Sequence, residues 1–130
     1  MKKYDNFCKA LANLKEGVRT EEPYSVVVQV GIIGLMEICF EQSWKLMKAL
    51  LEEHGRMTDK IGSPRGIIKV AYQCGMITDS DGWLDLLEAR NILSHTYDDE
   101  YALQAIGELK SRYILLFEQL KEAVDRDWLL

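Results

Sequence analysis

The sequence predicts an all-α protein, an up-and-down bundle of four amphipathic helices with one additional short helix. Apolar residues recur at steps of three and four along most of the 130 residues, which is the period of one helix face. The polar segments between these stretches are short, as in bundles of antiparallel neighbours. No segment makes a convincing strand. A chain of this length is expected to form a single domain over residues 1–130.

The first helix is predicted to end near Gly17, and a polar connection from Arg19 to Pro23 follows it. A second helix of roughly 26 residues then ends at Gly55. Its opening run, Ser25–Val28, is rich in β-branched residues and would suit a strand. The apolar seam of the second helix passes through this run and favours a helix: Val26, Val30, Ile33, Glu37, Phe40, Trp44, Met47 and Leu51.

The short helix is predicted to follow a loop from Arg56 to Gly62. Ser63 is a favourable N-cap, and Pro64 suits the first helical position because its missing N–H would have no partner there. Gly75 ends this helix, since glycine readily adopts the left-handed conformation found at helix ends.

The next two helices begin at acidic caps. Asp79–Asp81 caps the helix from Trp83 to His95, here named the motif helix, and Asp98–Glu100 opens the last helix, where carboxylates favour the positive end of the helix dipole. The apolar tail Trp128–Leu130 is expected either to dock on the bundle or to fray. The last helix has a continuous apolar stripe: Ala102, Ile106, Leu109, Tyr113, Leu116 and Leu120.

Composition narrows the class of protein. The 48% hydrophobic and 28% charged fractions are typical of a soluble globular chain. The net charge of −5 argues against a general nucleic-acid coat protein but permits a local basic site. Cys8, Cys39 and Cys74 lack metal-binding spacing and are expected to be reduced thiols of a cytoplasmic protein. No apolar run approaches about 18 residues, so no membrane span is expected.

The end of the motif helix carries the candidate functional residues. Arg90, His95 and Tyr97 fall within eight residues. A cation, an imidazole and a phenol at one helix end could serve an anionic substrate. The plain alternative is structural, because basic side chains also favour the negative end of a helix dipole.

A helical wheel adds two polar residues to this site. At about 100° per residue, Asn91 and Ser94 share a face with Trp83, Leu84 and Leu87 that is expected to be buried. Buried polar groups need partners, because an unpaired one costs roughly 1–3 kcal/mol. Asn91 and Ser94 are therefore candidates for supporting residues.

Two carboxylates interrupt the apolar seam of the second helix. Glu37 lies within the seam, and Glu41 lies one turn further on. Either both bend to solvent or pair with a lysine, or one of them holds Arg90 or His95 in place as an orienting group.

A known family carries the same arrangement. The segment Arg90-Asn91-x-x-Ser94-His95-x-Tyr97 resembles the Arg-x-x-x-x-His-x-Tyr signature of the HEPN superfamily. More narrowly, it resembles HepT, the HEPN partner of a minimal nucleotidyltransferase, a group also named nucleotidyltransferase substrate-binding proteins. The resemblance covers nearly the whole chain, through Trp83–Asn91, Ser63–Arg65, Ile68, Ala71, Gly75–Ile77, Glu37, Phe40, Glu41, Trp44 and Lys45.

The resemblance implies a HEPN-like bundle and two classes of function. One is a metal-independent endoribonuclease toxin that a cognate nucleotidyltransferase antitoxin neutralises. The other is a non-catalytic subunit that presents a substrate, or itself, to a nucleotidyltransferase. The resemblance also makes Tyr97 the candidate for modification by nucleotidyl groups, with Tyr101 as the competing candidate.

The residues themselves favour metal-free chemistry. His54 and His95 lie on different helices and no metal-ligand spacing occurs, so neither a metal nor another cofactor is expected. RNA supplies its own nucleophile, the 2′-hydroxyl. His95 suits proton transfer, Arg90 suits the phosphate oxygens, and Asn91 and Ser94 could orient these groups or hold the substrate. Basic residues in the middle third provide either an RNA track or ordinary solvated faces: Lys45, Lys48, Arg56, Lys60, Arg65 and Lys69.

The motif helix also predicts a homodimer. Leu86, Ile92 and Leu93 lie on sides of this helix that one bundle core is not expected to cover. A twofold copy would cover them. The two Arg90/His95 pairs would then line one cleft.

Overall fold

The computed structural model describes residues 1–57 and 62–129. Its first helices are α1 (Lys2–Gly17), α2 (Val26–Glu53), α3 (Pro64–Gln73), α4 (Ser80–His95) and α5 (Asp99–Glu108). The chain continues through a π-helical turn into α6 and a second π-helical turn: Leu109–Tyr113, Ile114–Ala123 and Val124–Trp128. Neither described range contains a strand, and the predicted all-α fold is confirmed. The predicted loop from Arg56 to Gly62 lies partly outside the described residues.

The helix ends follow local sequence rules. Side-chain oxygens of Ser25, Ser63 and Asp79 each accept a hydrogen bond from the backbone N–H three residues later. Such caps stabilise a helix by about 1 kcal/mol each. Gly55 and Gly75 follow α2 and α3 with φ angles of 67° and 77°, which only glycine adopts without strain. The assignment of Ser25–Val28 to a helix start, rather than to a strand, is confirmed.

Aromatic packing anchors α4 in the core. Trp83 is fully buried and lies edge-on to Phe117 of α6, with ring centroids 5.5 Å apart. Phe40 of α2 lies on its other side at 6.4 Å. Burying one large apolar side chain stabilises a fold by roughly 1.5–3 kcal/mol. This contact fixes α4 beside α2, and so places the polar end of α4 against the middle of α2.

The apolar seam of α2 is buried over only part of its length. Ile33, Phe40, Met47 and Leu51 are buried as predicted, but Val26, Val27 and Val30 are exposed. The first turns of α2 are therefore covered on the side of Gln29, which bonds to Tyr97 and Asp99, and are open to solvent on the side of these valines. Its exposed valines remain available for contact.

Helix α2 is also long and apolar enough to cross a membrane by composition, with a mean hydropathy of 1.4 over an 18-residue window. From the sequence no membrane span was expected, because no uninterrupted apolar run approaches about 18 residues. In the structure α2 packs against α1, α3, α4 and α5. Ile33, Phe40, Met47 and Leu51 of α2 belong to the core, whereas Ile38 and the three valines at its start are exposed.

The last predicted helix contains two features that the apolar period did not reveal. Its predicted apolar stripe is buried throughout. One π-helical turn, Leu109–Tyr113, lies within the stripe, and the other, Val124–Trp128, follows α6. At the first, Ser111 Oγ donates to the carbonyl of Gly107 at 3.0 Å, a bond that commonly bends helices. At the C-terminal end, Trp128 is buried against the His54 ring with centroids 4.7 Å apart. The tail therefore docks through Trp128.

Candidate functional site

The site lies where α4 turns into α5. Helix α4 ends at His95, and Thr96 adopts an extended conformation while its N–H donates to Ile92 O at 2.9 Å. Asp98 then caps α5 by accepting from the N–H of Tyr101 at 3.3 Å. All residues from Ser94 to Glu100 are exposed. The short turn therefore presents His95 and Tyr97 at the surface.

Arg90 is held by a network that reaches α2. Its Nη2 donates to Glu41 Oε2 at 2.8 Å, and its Nη1 donates to Asn91 Oδ1 at 3.0 Å. The guanidinium also lies over the Phe40 ring, 5.6 Å from its centroid. The side chain is 26% exposed. A guanidinium has five N–H donors, so this network leaves several for a substrate phosphate.

Glu41 is the carboxylate that contacts Arg90. It also accepts a hydrogen bond from Trp44 Nε1 at 3.0 Å and pairs with Lys45 Nζ at 3.4 Å. Burial by itself raises the pKa of Glu41, but the hydrogen bonds from Trp44 and Lys45 and the charges of Lys45 and Arg90 outweigh it and hold the pKa below its usual value. Glu41 is therefore charged and shared between two cations at neutral pH.

Glu37, one turn earlier, is in a different state. It is half-buried and forms no hydrogen bond or ion pair with the residues that the structure describes. Burial raises the pKa of Glu37, and the positive charge of Arg90 opposes the rise only in part. Glu37 therefore faces the charge of Arg90 without touching it, and its own charge is disfavoured in the folded protein.

These two carboxylates are expected to affect stability in opposite directions. The lowered pKa of Glu41 means that it stabilises the fold above the ordinary carboxyl pKa of 4.5, and that this stability is lost as pH falls through its folded pKa. The raised pKa of Glu37 means that it destabilises the fold at neutral pH, and that lowering the pH removes this cost. Glu41→Gln should lower the free energy of unfolding at pH 7 by roughly 0.5–1 kcal/mol, whereas Glu37→Gln should raise it slightly.

Urea unfolding at neutral pH and near pH 4 measures both effects, and each variant serves as the control for the other. The differences from wild type should shrink at the lower pH. Changes of the same sign in both variants at neutral pH would contradict the assigned ionisation of the pair.

Two supporting residues are not where the wheel predicted. Asn91 and Ser94 are exposed, so the expectation that they share a buried face was wrong. Asn91 still contacts Arg90 through its amide oxygen. The buried side of α4 instead includes Leu86 and Leu93, which were expected to face a second chain. The bundle core covers that side of α4, and only Ile92 of the three remains exposed.

Tyr97 has a partner that sequence reasoning missed. Gln29 Nε2 donates to Tyr97 Oη and to the Asp99 carbonyl oxygen, both at 3.2 Å. The Gln29 side chain is buried, whereas Tyr97 is 39% exposed. The only indication in the sequence is a single amide among the valines of Val26–Val30. His95 forms no hydrogen bond with the described residues, and it lies roughly 7.5 Å along the helix axis from Arg90.

The remaining candidate residues are possible metal ligands, the cysteines and the basic residues of the middle third. No cluster of three His, Cys, Asp or Glu side chains suited to a metal occurs within residues 1–57 and 62–129. Cys39 is buried, and burial raises the pKa of its thiol. Most of the basic residues named above are exposed, while Lys45 is already paired with Glu41 and Lys60 lies outside the described residues.

The helical bundle that presents Arg90, His95 and Tyr97 at the end of α4 shares its fold with solved structures described as a substrate binding domain of a nucleotidyltransferase and as a HEPN toxin. Residues 2–126 match the family described as nucleotidyltransferase substrate binding protein like, and the chain belongs to this HepT-like family.

Similar proteins agree with this membership. A probable ribonuclease HepT from Haemophilus influenzae is 35% identical over 97 residues, which cover 71% of this chain and 66% of that protein, just under two thirds of its length. A solved structure from Haemophilus influenzae, described as revealing the fold of a substrate binding domain of a nucleotidyltransferase, has a TM-score of 0.79 and 26% identity over 94% of this chain and 98% of its own.

A second solved structure shares the fold. It is a tri-AMPylated Shewanella oneidensis HEPN toxin in complex with its MNT antitoxin. The TM-score is 0.79, with 97% of this chain and 96% of the toxin covered, at 17% identity.

Proposed function

We propose that this protein is a HEPN-type toxin of a toxin–antitoxin pair, a metal-independent endoribonuclease that uses Arg90 and His95 and acts in the cytoplasm. The observation that carries the proposal is the end of α4, where Arg90 is anchored on Glu41 with donors to spare and His95 is exposed. The name of the Haemophilus influenzae relative supports the same class. The direct test is cleavage of RNA in the presence of a chelator.

The proposed reaction assigns one task to each group. His95 takes the proton of an RNA 2′-hydroxyl, whose oxygen then attacks the adjacent phosphorus. The bond from that phosphorus to the 5′-oxygen of the next nucleotide breaks, a 2′,3′-cyclic phosphate forms, and the departing 5′-oxygen takes up a proton from the protonated His95 or from water. Arg90 donates hydrogen bonds to the phosphate oxygens as negative charge develops on them. Glu41 fixes the guanidinium in place, and Asn91 fixes it from the exposed side. Glu37 is a supporting residue that acts on Arg90 through its charge.

The second proposed component is a cognate nucleotidyltransferase that neutralises this protein by modifying Tyr97. The description of the Shewanella oneidensis complex, an AMPylated toxin with its antitoxin, supports this arrangement. Tyr97 is exposed and lies two residues after His95. Added phosphates would compete with RNA for Arg90.

A non-catalytic substrate-binding subunit is the alternative function. The family description and the description of the solved Haemophilus influenzae structure favour it. Pairing of Arg90 with Glu41 also favours it, because the ion pair offsets the positive charge that a phosphate would meet. An inert wild type in RNA cleavage, together with modification at Tyr97, would select this alternative.

We also propose a homodimer whose two chains contact each other through α2, and not through α4 as the sequence predicted. At about 100° per residue, Val27, Val30 and Ile38 lie on the same side of α2 as Glu41. All three are exposed, Val27 at 81% and Ile38 at 54%. Gly34 lies between them with open space beside it, which permits close approach of another helix. A second copy on this face would bring two Arg90/His95 pairs together and double the local positive charge, so that an acidic chain could bind RNA.

Ile38→Glu is expected to dissociate this dimer. A carboxylate placed at the centre of the apolar face would lose its hydration on association, so the charge should prevent contact. Light scattering at about micromolar concentration should give wild type twice the 15.0 kDa mass of one chain, and Ile38→Glu that of one chain.

Leu115→Glu is the matched control, since Leu115 is equally exposed at 55% but lies on α6. It should remain dimeric. A wild type that is monomeric and cleaves RNA at full rate would end the proposal, and so would loss of the dimer in the Leu115 variant alone.

A further inference from the structure

Gln29 is a buried polar residue for which the proposed chemistry gives no role. It is 8% exposed, on the first turns of α2. A carboxamide nitrogen has two N–H donors, and here the acceptors are Tyr97 Oη and Asp99 O. Both bonds connect α2 to the turn that follows His95. The amide therefore fixes the position of the Tyr97 phenol relative to the bundle.

We propose that Gln29 is a positioning residue that selects Tyr97 for nucleotidylation, an inference that rests on the proposed modification of Tyr97. The phenol oxygen accepts the hydrogen bond from Gln29, so its own proton and its remaining lone pair are directed away from α2. A partner enzyme can approach this side, because the ring is partly exposed. An N–H dipole aimed at the oxygen also stabilises negative charge as the proton leaves.

The transfer of the nucleotidyl group requires no side chain of this protein besides Tyr97 and Gln29. The Tyr97 oxygen forms a bond to the α-phosphorus of a nucleoside triphosphate held by the partner enzyme. The bond from that phosphorus to the bridging oxygen breaks, and pyrophosphate leaves. The phenol proton passes to a base of the partner enzyme. Gln29 stabilises the oxygen during this step and is unchanged at its end.

The competing tyrosine lacks this arrangement. Tyr101 lies within α5 and is half-buried, and Gln29 does not bond to it. Burial, and then the negative charge of Glu88, raise the pKa of Tyr101 and disfavour its phenolate. The two tyrosines are only four positions apart in the chain, so sequence position alone does not decide which of them a partner enzyme modifies. The Gln29 contact and the burial of Tyr101 both favour Tyr97.

The test compares two substitutions of similar size. Gln29→Met removes both donors, and Gln29→Glu replaces them with an acceptor that carries negative charge. With the partner nucleotidyltransferase and ATP, the kcat for modification of Tyr97 should fall at least about tenfold in Gln29→Met and further in Gln29→Glu. The KM for this protein as substrate should change little, because Gln29 is buried. Gln119→Met, a change of the same chemistry on the exposed side of α6, should behave as wild type.

The outcomes separate the two proposals. If wild type gains no mass, the proposed modification fails and the inference fails with it. If wild type is modified at Tyr97 and folded Gln29→Met is modified with the same kcat, or is impaired in KM alone, only the positioning role is wrong. If the Gln29 variants do not fold, the contact can still be tested with Gln29 in place. The NMR resonances of the Gln29 side-chain amide should then shift in Tyr97→Phe. Unshifted resonances would overturn the contact and the inference.

Discussion

Replacing His95 with alanine is expected to slow RNA cleavage by about 10²–10⁴-fold, because the variant lacks the group that moves the proton of the 2′-hydroxyl. Arg90→Ala should cause a loss of similar size by removing the donors that stabilise the developing charge. Arg90→Lys should recover little of it, since an ammonium group cannot bond two phosphate oxygens in one plane. The measurement is the initial rate of cleavage of a labelled RNA by purified protein in excess EDTA.

His54→Ala and Arg126→Ala are matched controls, since each removes the same type of side chain from another part of the protein. Both should retain wild-type activity if the variants are folded. Equal rates for wild type, His95→Ala and Arg90→Ala would show that these residues do not perform the reaction. Activity that disappears in EDTA and returns with magnesium would exclude the metal-free mechanism.

Tyr97→Phe is expected to abolish modification by the partner nucleotidyltransferase, because phenylalanine has no oxygen to form the bond to phosphorus. Wild type incubated with the partner and ATP should gain mass in whole nucleotide units, and its ribonuclease activity should fall as the gain proceeds. The fall follows from placing phosphate charge beside Arg90, where it competes with RNA. Intact-mass spectrometry followed by peptide mapping measures the gain and its site.

Tyr101→Phe is the control for this experiment and should be modified as wild type is. A mass gain that persists in Tyr97→Phe and maps to Tyr101 would reject the assignment of the modified residue. If modified wild type cleaves RNA at its original rate, modification does not neutralise the ribonuclease.

Much of the fold follows from short stretches of sequence. The helix starts at Ser25, Ser63, Asp79 and Asp98 were predicted as caps or opening residues, and each accepts a hydrogen bond from a backbone N–H three residues later. The apolar stripe of the last helix is buried as predicted. The two π-helical turns within that helix were not foreseen, because one extra residue in a turn hardly changes an apolar period.

The candidate site was less predictable in its contacts than in its location. The spacing of Arg90, His95 and Tyr97 predicted a site at the end of one helix, and the structure places all three near the end of α4. Catalytic roles for these residues, the modification of Tyr97 and the single domain over residues 1–130 remain predictions. The proposed dimer surface lies on α2 and not on α4, because Leu86 and Leu93 are buried within one chain.

By itself, the sequence predicted most helix starts and placed Arg90, His95 and Tyr97 at the end of one helix, since helical hydrogen bonds and caps join residues only three or four positions apart. The tertiary structure alone decided that Glu41 rather than Glu37 bonds to Arg90, across 49 positions, and that Gln29 bonds to Tyr97, across 68. Such contacts depend on how the helices rotate and slide against one another, and many side chains in the core determine that packing together.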